Sequence, residues 1–120
     1  MKRFNANQLD VEVWQSRIEI GISAAKQVAA QVSDMLQAKD EVNIIFAAAP
    51  SQNEFLTALL NIPDIEWHRI NAFHMDEYIG LDTDAPQTFG RFLKTKLFEL
   101  KLLKSIYYIN PGDPERECSR

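Results

Sequence analysis

Two adjacent carboxylates, Asp76 and Glu77, stand at the end of an apolar run and ahead of a loop closing on Gly80 and Leu81. A carboxylate at the point where a buried strand emerges has two uses. It is a working acid or base, or it is a structural acid that bonds loop amides and caps a neighbouring helix. Open α/β sheets bind ligands outside the carboxyl ends of their strands, so position favours chemistry for Asp76. The reaction it suits is removal of a proton from the carbon beside a carbonyl or imine. A carboxylate performs this well when partial desolvation raises its pKa toward the working pH. Glu77 is the second candidate, with the structural role as its alternative.

A second group is Ala47-Ala48-Ala49-Pro50-Ser51-Gln52, at the end of another apolar run. A helix starting here would offer unpaired N–H groups and the positive end of its dipole to an anion. Ser51 and Glu54 match a capping box, with Ser51 as N-cap, so Ser51 is either a ligand contact or simply that cap. His74 either touches a ligand or packs at a strand end. His68, Tyr78, Arg91, Lys94 and Lys96 read first as ordinary packing or solvated positions. Neither His74 nor His68 has a partner at metal-ligand spacing, so no metal is expected, and no cofactor is implied.

The elements that must position these groups follow from periodicity. Apolar residues recur at helical spacing from Trp14 to Leu36, which predicts a helix over residues 10–38 with Asp10 as its cap. Gly21 falls inside it and suggests a bend. Residues 42–48 form a continuous apolar run, the pattern of a strand buried on both faces. A helix over residues 51–61 follows, stopped by Pro63, and then a strand over 67–73. Asp84 and Pro86 predict the start of a third helix, striped by Phe89, Phe92, Leu93 and Leu97. Residues 105–109 make a short strand, Asn110-Pro111-Gly112 a turn, and residues 115–120 the opening of another helix. Helix and strand alternate, which argues for βαβ units and a parallel sheet. The fold class expected is therefore three-layer α/β/α, Rossmann-like, in a single domain over residues 1–120. Three strands leave open edges, which makes self-association as a homo-oligomer an expectation.

Composition narrows the class. With 120 residues there is room for one domain. A net charge of −4 with dispersed basic residues argues against nucleic acid or an anionic membrane as partner. No stretch is apolar enough to span a bilayer, and the first residues lack the apolar core of a signal peptide. A cytoplasmic location is the expectation. The lone Cys118 makes no intrachain disulfide and lies in a polar tail, away from any catalytic setting.

The stretch Asn71-Ala72-Phe73-His74-Met75-Asp76-Glu77-Tyr78-Ile79-Gly80-Leu81 resembles the strand-and-loop signature F-N-M-D-E-Y-x-G-L of the glucosamine-6-phosphate deaminase (isomerase) family. The Met-Asp-Glu-Tyr core favours this branch over the related 6-phosphogluconolactonases. Asp84-Ala85-Pro86-Gln87-Thr88-Phe89 is similar to the family's H-P-E-S-Y helix start. The resemblance implies a fold of the sugar-phosphate isomerase type and a small sugar phosphate as ligand. The reaction implied is conversion of an amino sugar phosphate to fructose 6-phosphate and ammonia. It places the proton-transferring base on Asp76. It sets Ala48, Ala49 and Ser51 in the phosphate loop, and His74 where the family has Asn. Ala47-Ala48-Ala49 departs from the family's T-G-[GS]-T-P form, losing hydroxyls and glycine's backbone freedom. Family members are longer, and their second half carries a G-x-G-x-D-G-H loop assigned to ring opening. This chain is expected to match an amino-terminal half, truncated and impaired as an enzyme by itself. The alternatives are a non-catalytic sugar-phosphate sensor and a 6-phosphogluconolactonase-like hydrolase.

Overall fold

The chain opens with strand alternation. In the computed structural model, which describes residues 1–120, Lys2–Ala6 (β1) and Leu9–Val13 (β2) pair antiparallel, with Ala6 opposite Leu9. The turn between them is Asn7-Gln8, and Asn7 holds φ 57°, a left-handed conformation that Asn tolerates in tight hairpins. Leu9, Val11 and Val13 alternate with Asp10 and Glu12, the period of a strand. Asp10 is accordingly a strand residue opposite Asn5 and not a helix cap.

The first helix starts later than expected, as α1 over Arg17–Ala38. Its cap is Ser16, whose hydroxyl accepts from Glu19 N–H while the Glu19 carboxylate accepts from Ser16 N–H, both at 3.2 Å. This reciprocal pair satisfies donors that a helix start leaves open. The buried stripe is Gly21, Ala25, Val32 and Leu36. Ile18 and Ile22, placed in the stripe by spacing alone, are 64% and 41% exposed. Gly21 marks no bend. A methyl group there would lie 2.7 Å from the Glu54 carbonyl carbon, so glycine is what lets the two helices touch.

Val42–Phe46 (β3), Ile70–His74 (β4) and Ser105–Tyr107 (β5) form a parallel sheet in that order. Residues 67–69, expected as strand, make a 3-10 turn before β4. The register places Val42, Ile44, Phe46, Ile70, Ala72, His74 and Ile106 on one face, because side chains alternate along a strand. Over that face lie α1, α2 (Asn53–Asn61), α3 (Phe89–Leu93) and a π turn over Lys94–Phe98 that continues α3. Leu56, Ile70, Leu93 and Leu97 are fully buried there, and Phe46 meets Phe98 edge-on at 5.8 Å.

The opposite face carries Asn43, Ile45, Asn71, Phe73, Ser105 and Tyr107. Ile45 is 67% exposed, and Phe73 stacks on Tyr107 at 4.7 Å. Asn71 donates to Asn43 Oδ1 at 3.0 Å and accepts from the Ser105 hydroxyl. The fold is an α/β parallel sheet of the expected type, and these residues build its sheet and one helical layer. The expectation that β3 is buried on both faces is corrected: its burial alternates because helices cover one side. A last short helix, α4 (Pro114–Ser119), is capped by Asp113, which accepts from Arg116 N–H at 3.1 Å.

Candidate functional site at the carboxyl end of the sheet

The two predicted groups are neighbours because β3 and β4 pair directly. The Met75 N–H donates to the Phe46 carbonyl at 3.0 Å, extending the ladder one step past the strands. That bond sets residues 47–51 beside residues 75–77. Asp76 lies one residue beyond it, with an exposed side chain. The partial desolvation expected for a base is therefore not supplied by these residues alone.

Ala47 and Ala49 are half-buried, and Ala48 is 7% exposed, part of the core. After Ala49 the chain makes a 3-10 turn, Pro50–Gln52, before α2. Ser51 is exposed inside that turn. The predicted capping box is absent: α2 is preceded by Gln52 with no side-chain cap. Glu54 points elsewhere, accepting from Arg17 Nε and Nη2 at 3.0 Å each, while Arg17 Nη2 also reaches the Pro50 carbonyl at 3.2 Å. A bidentate guanidinium is a better partner for this carboxylate than one serine N–H. Ser51 is left without the structural duty that the sequence offered it.

Glu77 is enclosed, its side chain 2% exposed. Its Oε1 accepts from Tyr78 N–H at 3.0 Å and Phe89 N–H at 2.9 Å, and its Oε2 accepts from Gly90 N–H at 2.9 Å. These are donors of its own loop and of the first turn of α3, so the carboxylate joins the two. Thr88 supplies the second cap, its hydroxyl oxygen accepting from Arg91 N–H at 3.2 Å. Asp84, predicted to start this helix, takes no part in capping it. Both oxygens of Glu77 are occupied, and the alternative weighed for it, a structural acid, describes its contacts.

The His74 ring faces the helical layer, with its side chain 1% exposed. Its Nε2 accepts from Ile109 N–H at 3.3 Å, which puts the proton of the neutral ring on Nδ1. Burial pushes its pKa below the usual histidine value, against the opposing pull of Glu77, Asp76 and Glu117. Glu77 Oε2 stands 3.8 Å from Nε2, but a neutral ring makes no ion pair. Of the two roles read for His74, ligand contact or packing at the strand end, its contacts in the fold are those of packing, because β4 alternation sends residue 74 inward with Ile70 and Ala72. Its edge rests against Tyr108, at 6.1 Å between ring centres.

Sequence reasoning missed the Arg17–Glu54–Pro50 connection. Nothing in the spacing marks it, since the partners are 37 residues apart. The Thr88 cap was legible in retrospect, as a threonine directly before an apolar stripe. No group of three metal-type side chains converges anywhere in the chain, and no helix is long and apolar enough to cross a membrane.

No family model matches the chain. Single relatives do. Over 82 residues it is 33% identical to the glucosamine-6-phosphate deaminase of Listeria innocua, a match covering 67% of this chain and 35% of that protein. The enzyme of the same name from Shewanella halifaxensis is 35% identical over 52 residues, 42% of this chain and 20% of that one. Among solved structures, a monomeric glucosamine-6-phosphate deaminase of the NagB superfamily superposes with a TM-score of 0.75 at 20% identity. That alignment covers 88% of this chain and 45% of the other. A 6-phosphogluconolactonase from Thermotoga maritima gives 0.73 at 17% identity, over 89% of this chain and 48% of the other. The chain thus spans a fifth to about a third of the curated relatives it matches and under half of the solved ones. Its Asp76 loop, its parallel sheet and these likenesses agree in their direction: the chain is similar in sequence to the amino-terminal part of glucosamine-6-phosphate deaminases and shares the fold of these enzymes and of 6-phosphogluconolactonases.

Proposed function

We propose that the carboxyl edge of β3 and β4 forms part of a sugar-phosphate site, with Asp76 as its proton-transferring carboxylate. The reaction is that of a glucosamine-6-phosphate deaminase: an amino sugar phosphate and water give fructose 6-phosphate and ammonia. Asp76 takes the proton from C2 and returns it to C1. The observation that carries this reading is the exposed Asp76 one residue past the β3–β4 ladder, beside the loop that starts α2. The phosphate would meet the positive end of the helical turns that begin at Pro50, with Ser51, Ala48 and Ala49 around it, although the Gln52 and Asn53 N–H groups are already taken by the Ala49 and Pro50 carbonyls. Residues 1–120 hold no counterpart of the ring-opening loop, so we expect this chain by itself to bind better than it turns over. A cytoplasmic setting belongs to the same reading.

The second reading is a non-catalytic sugar-phosphate sensor. It is favoured by the hydroxyl-free Ala47-Ala48-Ala49 and by the solvated Asp76. Thermal unfolding with glucosamine 6-phosphate and with fructose 6-phosphate separates the cases. A ligand at 100 times its Kd adds about 2.7 kcal/mol to the folded state. Ammonia release that is lost in Asp76→Asn, with the midpoint shift retained, supports the enzyme. A shift in both proteins without ammonia from either supports the sensor. Hydrolysis of 6-phosphogluconolactone with neither would transfer the chain to the lactonase branch. No shift with any of these ligands overturns the site itself.

A further inference from the structure

We propose that Glu77 is a positioning residue: it anchors the loop that presents Asp76 and takes no part as acid or base. The inference rests on the reading of Asp76 given above and assigns its neighbour a separate task.

Asp76 sits between two fastened residues. On one side, His74 is buried and tied to β5's exit through Ile109 N–H at 3.3 Å. On the other, Glu77 is 2% exposed and takes three backbone N–H groups at 2.9–3.0 Å. A carboxylate that accepts three amide donors has little left to exchange with a substrate, and solvent does not reach it. What it does instead is bind residues 77–78 to residues 89–90, which are about a dozen positions later in the chain. Loop backbone with few other bonds depends heavily on such an anchor. Gly90 makes the approach feasible. A methyl group there would stand 3.2 Å from His74 Cε1, close enough that the ring must give way, and 3.4 Å from Glu77 Oε2, an ordinary contact. The fixed pair therefore leaves Met75 and Asp76 as the short exposed stretch between two locked points.

Glu77→Gln is the probe. It keeps the shape but offers one acceptor oxygen, and turns an NH2 group toward a backbone N–H. Thr88→Ala is the control, because it removes the other cap of the same helix while leaving the Asp76 loop untouched. The readouts are the Asp76 side-chain carboxyl resonance in the ligand-free protein, and the midpoint shift with fructose 6-phosphate. We expect Glu77→Gln to move the Asp76 resonance and to cut the ligand-induced shift by at least half. Thr88→Ala should lower the midpoint but leave both readouts unchanged. An Asp76 resonance unmoved in Glu77→Gln, or moved equally in Thr88→Ala, overturns the proposal. If Glu77→Gln does not fold, Glu77→Asp withdraws the carboxylate from the Phe89 and Gly90 N–H groups by one methylene, and an unmoved Asp76 signal there overturns it too. If the unaltered protein responds to no sugar phosphate, the function proposed for Asp76 fails, and the resonance still decides the role of Glu77.

Discussion

Gly21→Ala tests the contact that holds α2, and with it the loop before it, in place. In an open helix this change stabilises, by about 1 kcal/mol of helix propensity. Here the new methyl would stand 2.7 Å from the Glu54 carbonyl carbon, and 2.9 Å from both its Cβ and its carbonyl oxygen. Two of those atoms are backbone, so no rotamer change relieves the contact. The helices must part by roughly 0.7 Å to restore ordinary separation. Overpacking of this kind costs about 1–3 kcal/mol, and rigid neighbours argue for the upper end. Subtracting the propensity gain leaves a net loss of about 2 kcal/mol. For a domain of this size that lowers Tm by roughly 6–10 °C. Urea unfolding should show a lower midpoint at an unchanged m-value. The exposed position Ala30 in the same helix is the reference: Ala30→Gly should cost about 1 kcal/mol from propensity alone. A neutral or stabilising Gly21→Ala would refute the argument, because it would mean that α1 and α2 do not approach at this point.

Two further outcomes follow from the cap and from the buried histidine. Ser16→Ala should cost about 1 kcal/mol through loss of the capping box, while Asp10→Ala should stay within about 0.5 kcal/mol; chemical denaturation of the pair decides where α1 begins. His74 is neutral in the fold and its pKa is lowered by burial, so the unfolded chain binds its proton first as pH falls. Stability should therefore be fully present above the unfolded histidine pKa, near 6.5, and decline as pH drops from there toward the folded value. Midpoints measured from pH 8 to 5 should show this slope, and His74→Asn should remove it.

Periodicity carried much of the architecture into view. The alternation of apolar runs with helical stripes indicated a parallel sheet, and β3, β4 and β5 overlap the runs that suggested them. The Met75-Asp76-Glu77-Tyr78 core pointed to the superfamily and to the carboxyl edge of the sheet. Boundaries were less legible where two local signals competed. Leu9, Val11 and Val13 fit a strand, yet spacing from Trp14 onward fitted a helix, and Asp10 looked like a cap for it. The capping box at Ser16 and Glu19 outweighed that signal, because it satisfies two open donors at once. Ser51 and Glu54 carry the same four-residue signature and do not form the box, because Arg17 captures Glu54.

What the sequence by itself determined is the set of local preferences: strand alternation, helical stripes, the acid pair at a strand end, and the turn residues Asn7 and Gly80. Each depends on residues a few positions apart, whose energies act before the chain has folded. The tertiary structure alone decided the roles. Residues at positions 74, 76 and 77 are of similar polarity, yet strand alternation and the docking of α3 bury the first and third and leave the second in water. Glu77 became a loop anchor because Phe89 and Gly90 arrive beside it, and Gly21 became a helix contact because α2 crosses there. Such assignments come from groups far apart in the chain, brought together by packing that no local pattern encodes.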